Sequence, residues 1–162
     1  MDWAPVKGFP GYSVHPAGQV RRDANGRVLH VKVNQYGTPY VGLMREWAQK
    51  QRSLALLVAD AFLPRDREVF DTPITCDGDR FNCALDNLLW RPRWFAVKFN
   101  RQFLDRYESP IEHPIRDVEG GEVHDGSLAV AKRYGLLERD VVLSILNLTV
   151  TWPTYQLFEV AE

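Results

Sequence analysis

Glycine cuts the N-terminal part of the chain into pieces too short for a helix. Gly11, Gly18, Gly26, Gly37 and Gly42 separate runs rich in Val, Tyr and Arg, so the segment reads as a meander of short strands. Tyr12-Ser13-Val14 leads to Gly18, and Gln19-Val20-Arg21-Arg22 runs to Asn25-Gly26, a two-residue hairpin signal. Arg27 to Val33 then alternates, which predicts one strand with Val28 or Leu29 and their alternating partners inward and Arg27, Lys32 and His30 outward. Gly37 opens a further strand, Pro39 to Leu43. Ser53 is a good N-cap for a helix with apolar spacing through Leu54, Leu57, Val58, Ala61 and Phe62, stopped by Pro64.

Residues 69–90 open without helical periodicity: Pro73 precedes Ile74-Thr75-Cys76, the turn Asp77-Gly78-Asp79 follows, and Leu85, Leu88, Leu89 and Trp90 supply apolar anchors. Arg93 to Arg106 mixes aromatic and basic residues at helical spacing and reads as a helix or a linker. From Ile115 the texture is hairpin, helix, helix, strand. Ile115–Val118 and Glu122–His124 flank Gly120-Gly121, a helix from Ser127 is closed by Gly135, a second spans Glu138 to Leu148, and Tyr155–Val160 alternates as a terminal strand. The helix pair has the form of a helix-turn-helix unit.

The net charge of -1 conceals an uneven distribution. Residues 1–52 hold eight Lys/Arg against three Asp/Glu and residues 91–106 five against one, whereas 53–90 hold three against seven and 107–162 four against ten. Any phosphate-binding face should therefore come from the first part and the central basic segment, with the tail a poor candidate. No apolar run suffices for a membrane span, and the start, Met1-Asp2-Trp3-Ala4-Pro5, does not resemble a signal peptide, so a cytoplasmic protein with no membrane partner is expected. Cys76 and Cys83, without a second pair, fit neither a disulfide framework nor a zinc knuckle and read as buried or half-buried thiols.

Three stretches, in order, resemble the phage-type HNH homing endonucleases. Lys7-Gly8-Phe9-Pro10-Gly11-Tyr12-Ser13-Val14 with Gly18-Gln19-Val20-Arg21 resembles the NUMOD-type N-terminal module, and Leu57 to Pro64 is similar to the helix leading into the HNH motif. Asp77-Gly78-Asp79-Arg80-Phe81-Asn82-Cys83-Ala84-Leu85-Asp86-Asn87-Leu88-Leu89-Trp90 follows the family's signature of Asp-Gly-Asn, Asn-Asn and Asn-Leu-x-Trp at matching spacing. Ile115 to Val160 is similar to the small helix-turn-helix modules appended to these nucleases.

The resemblance implies metal-assisted hydrolysis, with a histidine as general base and a divalent ion at the scissile phosphate. Here the residue at the base position is Thr75, the adjoining metal-ligand position is Ile74, and the last-helix ligand position is Ala96. None supplies the required group, so the implied site is catalytically degenerate, without metal or cofactor, while Asp77, Gly78, Asn82, Asn87 and Trp90 remain as structural motif residues. Asp77 and Asp79 are too few carboxylates for a calcium site. A histidine brought in from elsewhere, His113 or His124, would be needed for a residual metal-dependent nuclease.

These readings predict an α+β protein of three modules: a NUMOD-like β module at 1–52, a degenerate ββα-metal (HNH-like) core at 53–106, and an acidic strand and helix-turn-helix-like module at 107–162. The expected function is non-catalytic DNA binding, as a phage regulator or host-takeover factor in the host cytoplasm. Lys7, Arg21, Arg22, Arg27 and Lys32 would contact phosphate from the first module, Arg80, Arg91, Arg93, Lys98 and Arg101 from the core, and Lys132 and Arg133 from the tail. The second tail helix offers only Arg139, Ser144 and Asn147 to a base edge, so the tail suits packing or a host protein partner better. One alternative is therefore a protein-binding inhibitor of a host nucleic-acid enzyme or defence system, and a second is the residual nuclease.

Overall fold

The computed structural model describes residues 2–105 and 110–162; Arg106, the end of the aromatic and basic segment, lies outside the described residues. The architecture is α+β, with small antiparallel sheets and four helices, as expected. It divides into two compact units, Met1–Thr75 with Asp79–Arg93, and Cys76–Gly78 with Trp94–Glu162.

In the first unit, β1 (Ala4–Pro5), β2 (Tyr12–His15) and β3 (Gln19–Arg22) form one antiparallel sheet. The register sets Val14 against Val20, and both are buried, because alternation puts these two on the inner face while Ser13 and Arg21 pair on the other. A second antiparallel sheet holds β4 (Lys32–Val33), β5 (Pro39–Arg45) and β6 (Ala48–Ser53). In β5, Pro39, Val41 and Leu43 turn inward. Ser53 ends β6 and caps α1 (Leu54–Phe62), its hydroxyl accepting from the Leu56 N–H at 3.4 Å. The helix buries Leu54, Leu57, Val58 and Ala59 and packs against β2, β5, β6, β7 (Thr72–Thr75) and β8 (Leu88–Arg91).

Two sequence expectations need correction here. Asn25-Gly26 closes a longer loop than two residues: the Arg22 N–H donates to the Arg27 carbonyl at 2.9 Å, and Asn25 Oδ1 takes the Arg27 N–H at 3.0 Å. The single strand at 27–33 is absent. Val28 bridges Arg21 at the edge of the first sheet, whereas Lys32–Val33 pairs with β5 in the second. One segment serving two sheets must bend between them, and its alternation finds no common core, so Val28 and Val33 stay exposed. β6 answers to no expectation: it carries no apolar alternation and follows a turn of two non-glycine residues, Glu46 (φ 49°) and Trp47 (φ 68°). Nothing in the sequence marks it as a strand.

The second unit carries α2 (Arg93–Gln102, whose first residue belongs to the first unit), so the aromatic and basic segment is helical rather than a linker. It buries Phe95, Ala96 and Phe99. β9 (Ile115–Asp117), β10 (Val123–His124) and β11 (Phe158–Val160) form a sheet in the order β10-β9-β11. The terminal strand is shorter than its alternation predicts because Tyr155 adopts φ 57°. α3 (Ser127–Tyr134) ends on Gly135 at φ 63°, as predicted, and α4 (Glu138–Asn147) follows. Ile115, Val130, Leu136, Val141 and Phe158 make the core.

A buried carboxylate ties these helices together. Glu138 is 2% exposed and accepts from the Ser127 hydroxyl at 2.8 Å, while its own N–H donates to Gln102 Oε1 at 2.8 Å. Gln102 Nε2 in turn donates to the Leu136 carbonyl at 3.1 Å. The α2 side chain thus satisfies an orphan donor at the start of α4. Replacing Ser127 by alanine leaves Glu138 buried with one donor fewer, and a destabilisation of about 1–3 kcal/mol is expected in denaturant unfolding, with Glu138→Gln partly restoring the loss in the Ser127→Ala background.

Candidate nucleic-acid interface

β7 and β8 pair antiparallel with Ile74 opposite Leu89 and Thr75 opposite Leu88. Ile74 and Thr75 are buried in the first unit, and Ala96 is buried on the inner face of α2 in the second. At these three positions the divalent ion implied by the resemblance finds no imidazole, carboxylate or amide, and the residues present do not fit it. Among the described residues no three of His, Cys, Asp and Glu gather in a way that could hold a metal ion.

The loop between β7 and β8 is braced from within. Asn87 Nδ2 donates to the Asn82 carbonyl at 2.8 Å, the Asn82 N–H to the Asp79 carbonyl at 3.1 Å, and the Phe81 N–H to Asp79 Oδ1 at 2.9 Å. Trp90 Nε1 donates to the Leu63 carbonyl at 3.0 Å and stacks under Arg65. Cys83 is buried and Cys76 half-buried. Gly78 is required twice: its φ is +82°, and a Cβ there would stand 2.6 Å from the Phe103 ring. The Gly78→Ala variant should lose about 2–4 kcal/mol of stability by chemical denaturation, from left-handed strain and overpacking together.

The expected phosphate-contacting residues differ in how free they are. Lys7, Arg22, Arg27 and Lys32 are exposed, and none of the ion pairs among the described residues involves them. Arg22 sits 5.9 Å over the Tyr12 ring. Arg21 lies 4.4 Å over Trp3 and 3.8 Å from Asp23, and so is partly committed. Arg80 donates to the Tyr36 carbonyl at 2.5 Å and Thr38 Oγ1 at 2.7 Å, which fixes the turn between β4 and β5. Arg91, expected among the outward cations, is 6% exposed and bonds the Trp90 carbonyl. Arg45, Lys50 and Arg52 on β5 and β6 join these cations without any signal in the sequence, because the hairpin that presents them is unmarked there; Lys50 is exposed and Arg52 lies 5.0 Å over Phe9.

On α2 Arg93, Lys98 and Arg101 are exposed, and in the second unit Lys98 lies 5.4 Å over Trp94, which stacks on Trp152 at 5.2 Å. Lys98 and Arg101 border a groove of about 480 Å³ facing Arg139, Asp140 and Leu143 of α4. Burial raises the Asp140 carboxyl above its usual range, against Arg139 and Lys98. Lys132 and Arg133 are exposed on α3, Lys132 5.9 Å over Phe103 and Arg133 3.5 Å from Glu122. His113 is exposed. His124 is held by the Tyr134 hydroxyl at 3.1 Å, and that hydroxyl donates to Glu122 at 3.0 Å and approaches Asp117 at 3.4 Å.

Burial, the bond to Glu122 and the nearby carboxylates push the Tyr134 phenol up to about 12, and the same bond, with Arg133, holds Glu122 below its usual value. A raised phenol stabilises the fold fully below the unfolded value near 10 and loses that contribution as pH climbs through the folded one. Alkaline titration followed by tyrosinate absorbance should thus show a late step near pH 12 that Tyr134→Phe removes.

Comparison with known proteins places this geometry. The NUMOD4 motif model matches residues 1–44, which meets the expectation of a NUMOD-type N-terminal module. A solved structure described as "DNA binding and cleavage by the HNH homing endonuclease I-HmuI" superposes with a TM-score of 0.55 at 18% identity, covering 99% of this chain and 98% of that one. The chain therefore shares the fold of an HNH homing endonuclease. No curated protein matches in sequence. Among the described residues no helix is long and apolar enough to cross a membrane.

Proposed function

We propose that this protein binds duplex DNA without cutting it. The observation that carries the reading is the set Lys7, Arg22, Arg27 and Lys32: exposed, without acidic partners among the described residues, and within the stretch around the NUMOD4 match and its two sheets. Cations outside internal ion pairs are the ones that gain by displacing counterions from phosphate. The structural neighbour's own title names DNA binding and cleavage, and the shared fold supports the first of these for this chain. Ile74, Thr75 and Ala96 argue against the second, since a buried isoleucine, threonine and alanine can poise neither a metal nor a hydroxide.

The division of labour is part of the proposal. Residues 1–52 supply the main phosphate contacts, 53–106 supply a braced nuclease-derived core with Arg93, Lys98 and Arg101 as further contacts, and 107–162 supply a helix-turn-helix-like module. A phage regulator or host-takeover factor acting in the host cytoplasm is the role that suits a nuclease scaffold without chemistry. A host protein partner for the acidic tail gains less support, because Asp117, Glu122, Glu138 and Glu159 are engaged within the unit.

Mobility shifts at graded salt test the reading: the logarithm of affinity should fall linearly with the logarithm of salt, and each neutralising change at Lys7, Arg22, Arg27 or Lys32 should reduce the slope by roughly 0.9. In parallel, plasmid incubated with magnesium or manganese should remain supercoiled. Absence of any shift at low salt would sink the binding reading; nicking that disappears in a His113→Ala, His124→Ala double variant would replace it with the residual nuclease.

A further inference from the structure

We propose that Trp47 is a base-stacking wedge, inserted between neighbouring bases when the β5–β6 hairpin lies in a DNA groove; this rests on the DNA-binding reading above and names a contact within it. Trp47 is 100% exposed, although no residue type has more to gain from burial. It occupies the second position of a turn in which both central residues have positive φ, 49° at Glu46 and 68° at Trp47. Such turns favour Asn-Gly, which adopts them without steric cost. The chain instead holds its bulkiest side chain in a strained backbone at the tip of a projecting ribbon. Neither folding nor packing accounts for that, whereas an aromatic ring that must arrive at a base step in a fixed orientation does.

The ribbon behind the tip is built for the same task. Register places Lys50 opposite Leu43, Gln51 opposite Gly42, Gln49 opposite Met44 and Ala48 opposite Arg45. Apart from the buried Leu43 and half-buried Gly42, these residues are exposed. A Cβ at position 42 would collide with Gln49, so glycine there leaves room for the amide across the strand. Glutamines beside cations are the side chains that read base edges and phosphates, and a two-stranded ribbon is narrow enough for the major groove. The ribbon is also anchored against recoil: the Met44 N–H donates to the Tyr12 hydroxyl at 3.1 Å, joining the two sheets of the first unit just below the tip. Met44, itself exposed, widens the apolar end.

The test uses the full chain and a mixed-sequence duplex carrying 2-aminopurine in place of adenine at its TA steps, where unstacking is cheapest. Wild-type protein should raise the 2-aminopurine fluorescence on binding. Trp47→Ala and Trp47→Gly should abolish that rise and weaken binding roughly tenfold, with the salt slope unchanged because no charge is lost, while Trp47→Phe keeps most of both. Trp47→Gly relieves the positive φ and should melt no lower than wild type, so its binding defect is separable from misfolding. Full affinity in the Ala and Gly variants, or a wild-type complex with no fluorescence rise, overturns the wedge and leaves salt-dependent DNA binding standing. No complex of the wild type with any duplex at low salt overturns both.

Discussion

The first unit depends on a single short helix. None of its sheets exceeds three strands, and strands this few and short are marginal without a partner layer. α1 supplies that layer to β2, β5, β6, β7 and β8 together, through Leu54, Leu57, Val58 and Ala59. Both ends of the helix are fixed by the strands it covers. Ser53 is at once the last residue of β6, paired with Tyr40, and the N-cap; at the other end the Leu63 carbonyl is held by the Trp90 indole of β8. The hairpin that projects into solvent and the loop that resembles a nuclease motif are therefore positioned by the same nine residues.

That dependence explains which motif residues do physical work in this fold. Asn87 holds Asn82, Asp79 organises the turn, and Trp90 closes the helix end, so each would cost stability if lost whatever the chain does. At positions 74, 75 and 96 the resemblance implies groups that would serve chemistry rather than the fold. Here they are buried, and isoleucine and alanine add to the two cores what a carboxylate or an amide would subtract through desolvation. Under the proposed reading the scaffold keeps what it needs to stand and exchanges reactive groups for packing.

Much of the architecture was legible because its signals are local. The Ser53 cap, Pro64, the Gly135 C-cap and the Gly120-Gly121 turn each act within a few residues, and the structure places an element boundary at each. What escaped were features set by distant partners. Residues 27–33 alternate like one strand but are divided between two sheets, a matter of topology rather than propensity. β6 is polar on both faces and is held in place by β5, behind a turn whose residues resemble no hairpin. Arg91 reads as one more cation in a basic run, and only packing shows it turned inward.

The same limit applies to charge, where counting residues and counting available charge give different answers. Ten acids against four bases make residues 107–162 seem a negative surface. Yet Asp117 accepts from the Gln156 amide at 3.1 Å and from the Glu119 N–H at 3.2 Å, Glu138 is sealed under Ser127, and Glu122 and Glu159 pair with Arg133 and Arg116. In the first unit the balance runs the other way: Lys7, Arg22, Arg27, Lys32 and Lys50 are exposed and take part in none of the ion pairs among the described residues. A field that reaches a polyanion is made by charges with no partner at home. By that measure the cations of residues 1–52 are free to meet a polyanion, while in the tail Glu112, Glu119 and Asp125 are exposed acids that take part in none of the ion pairs among the described residues.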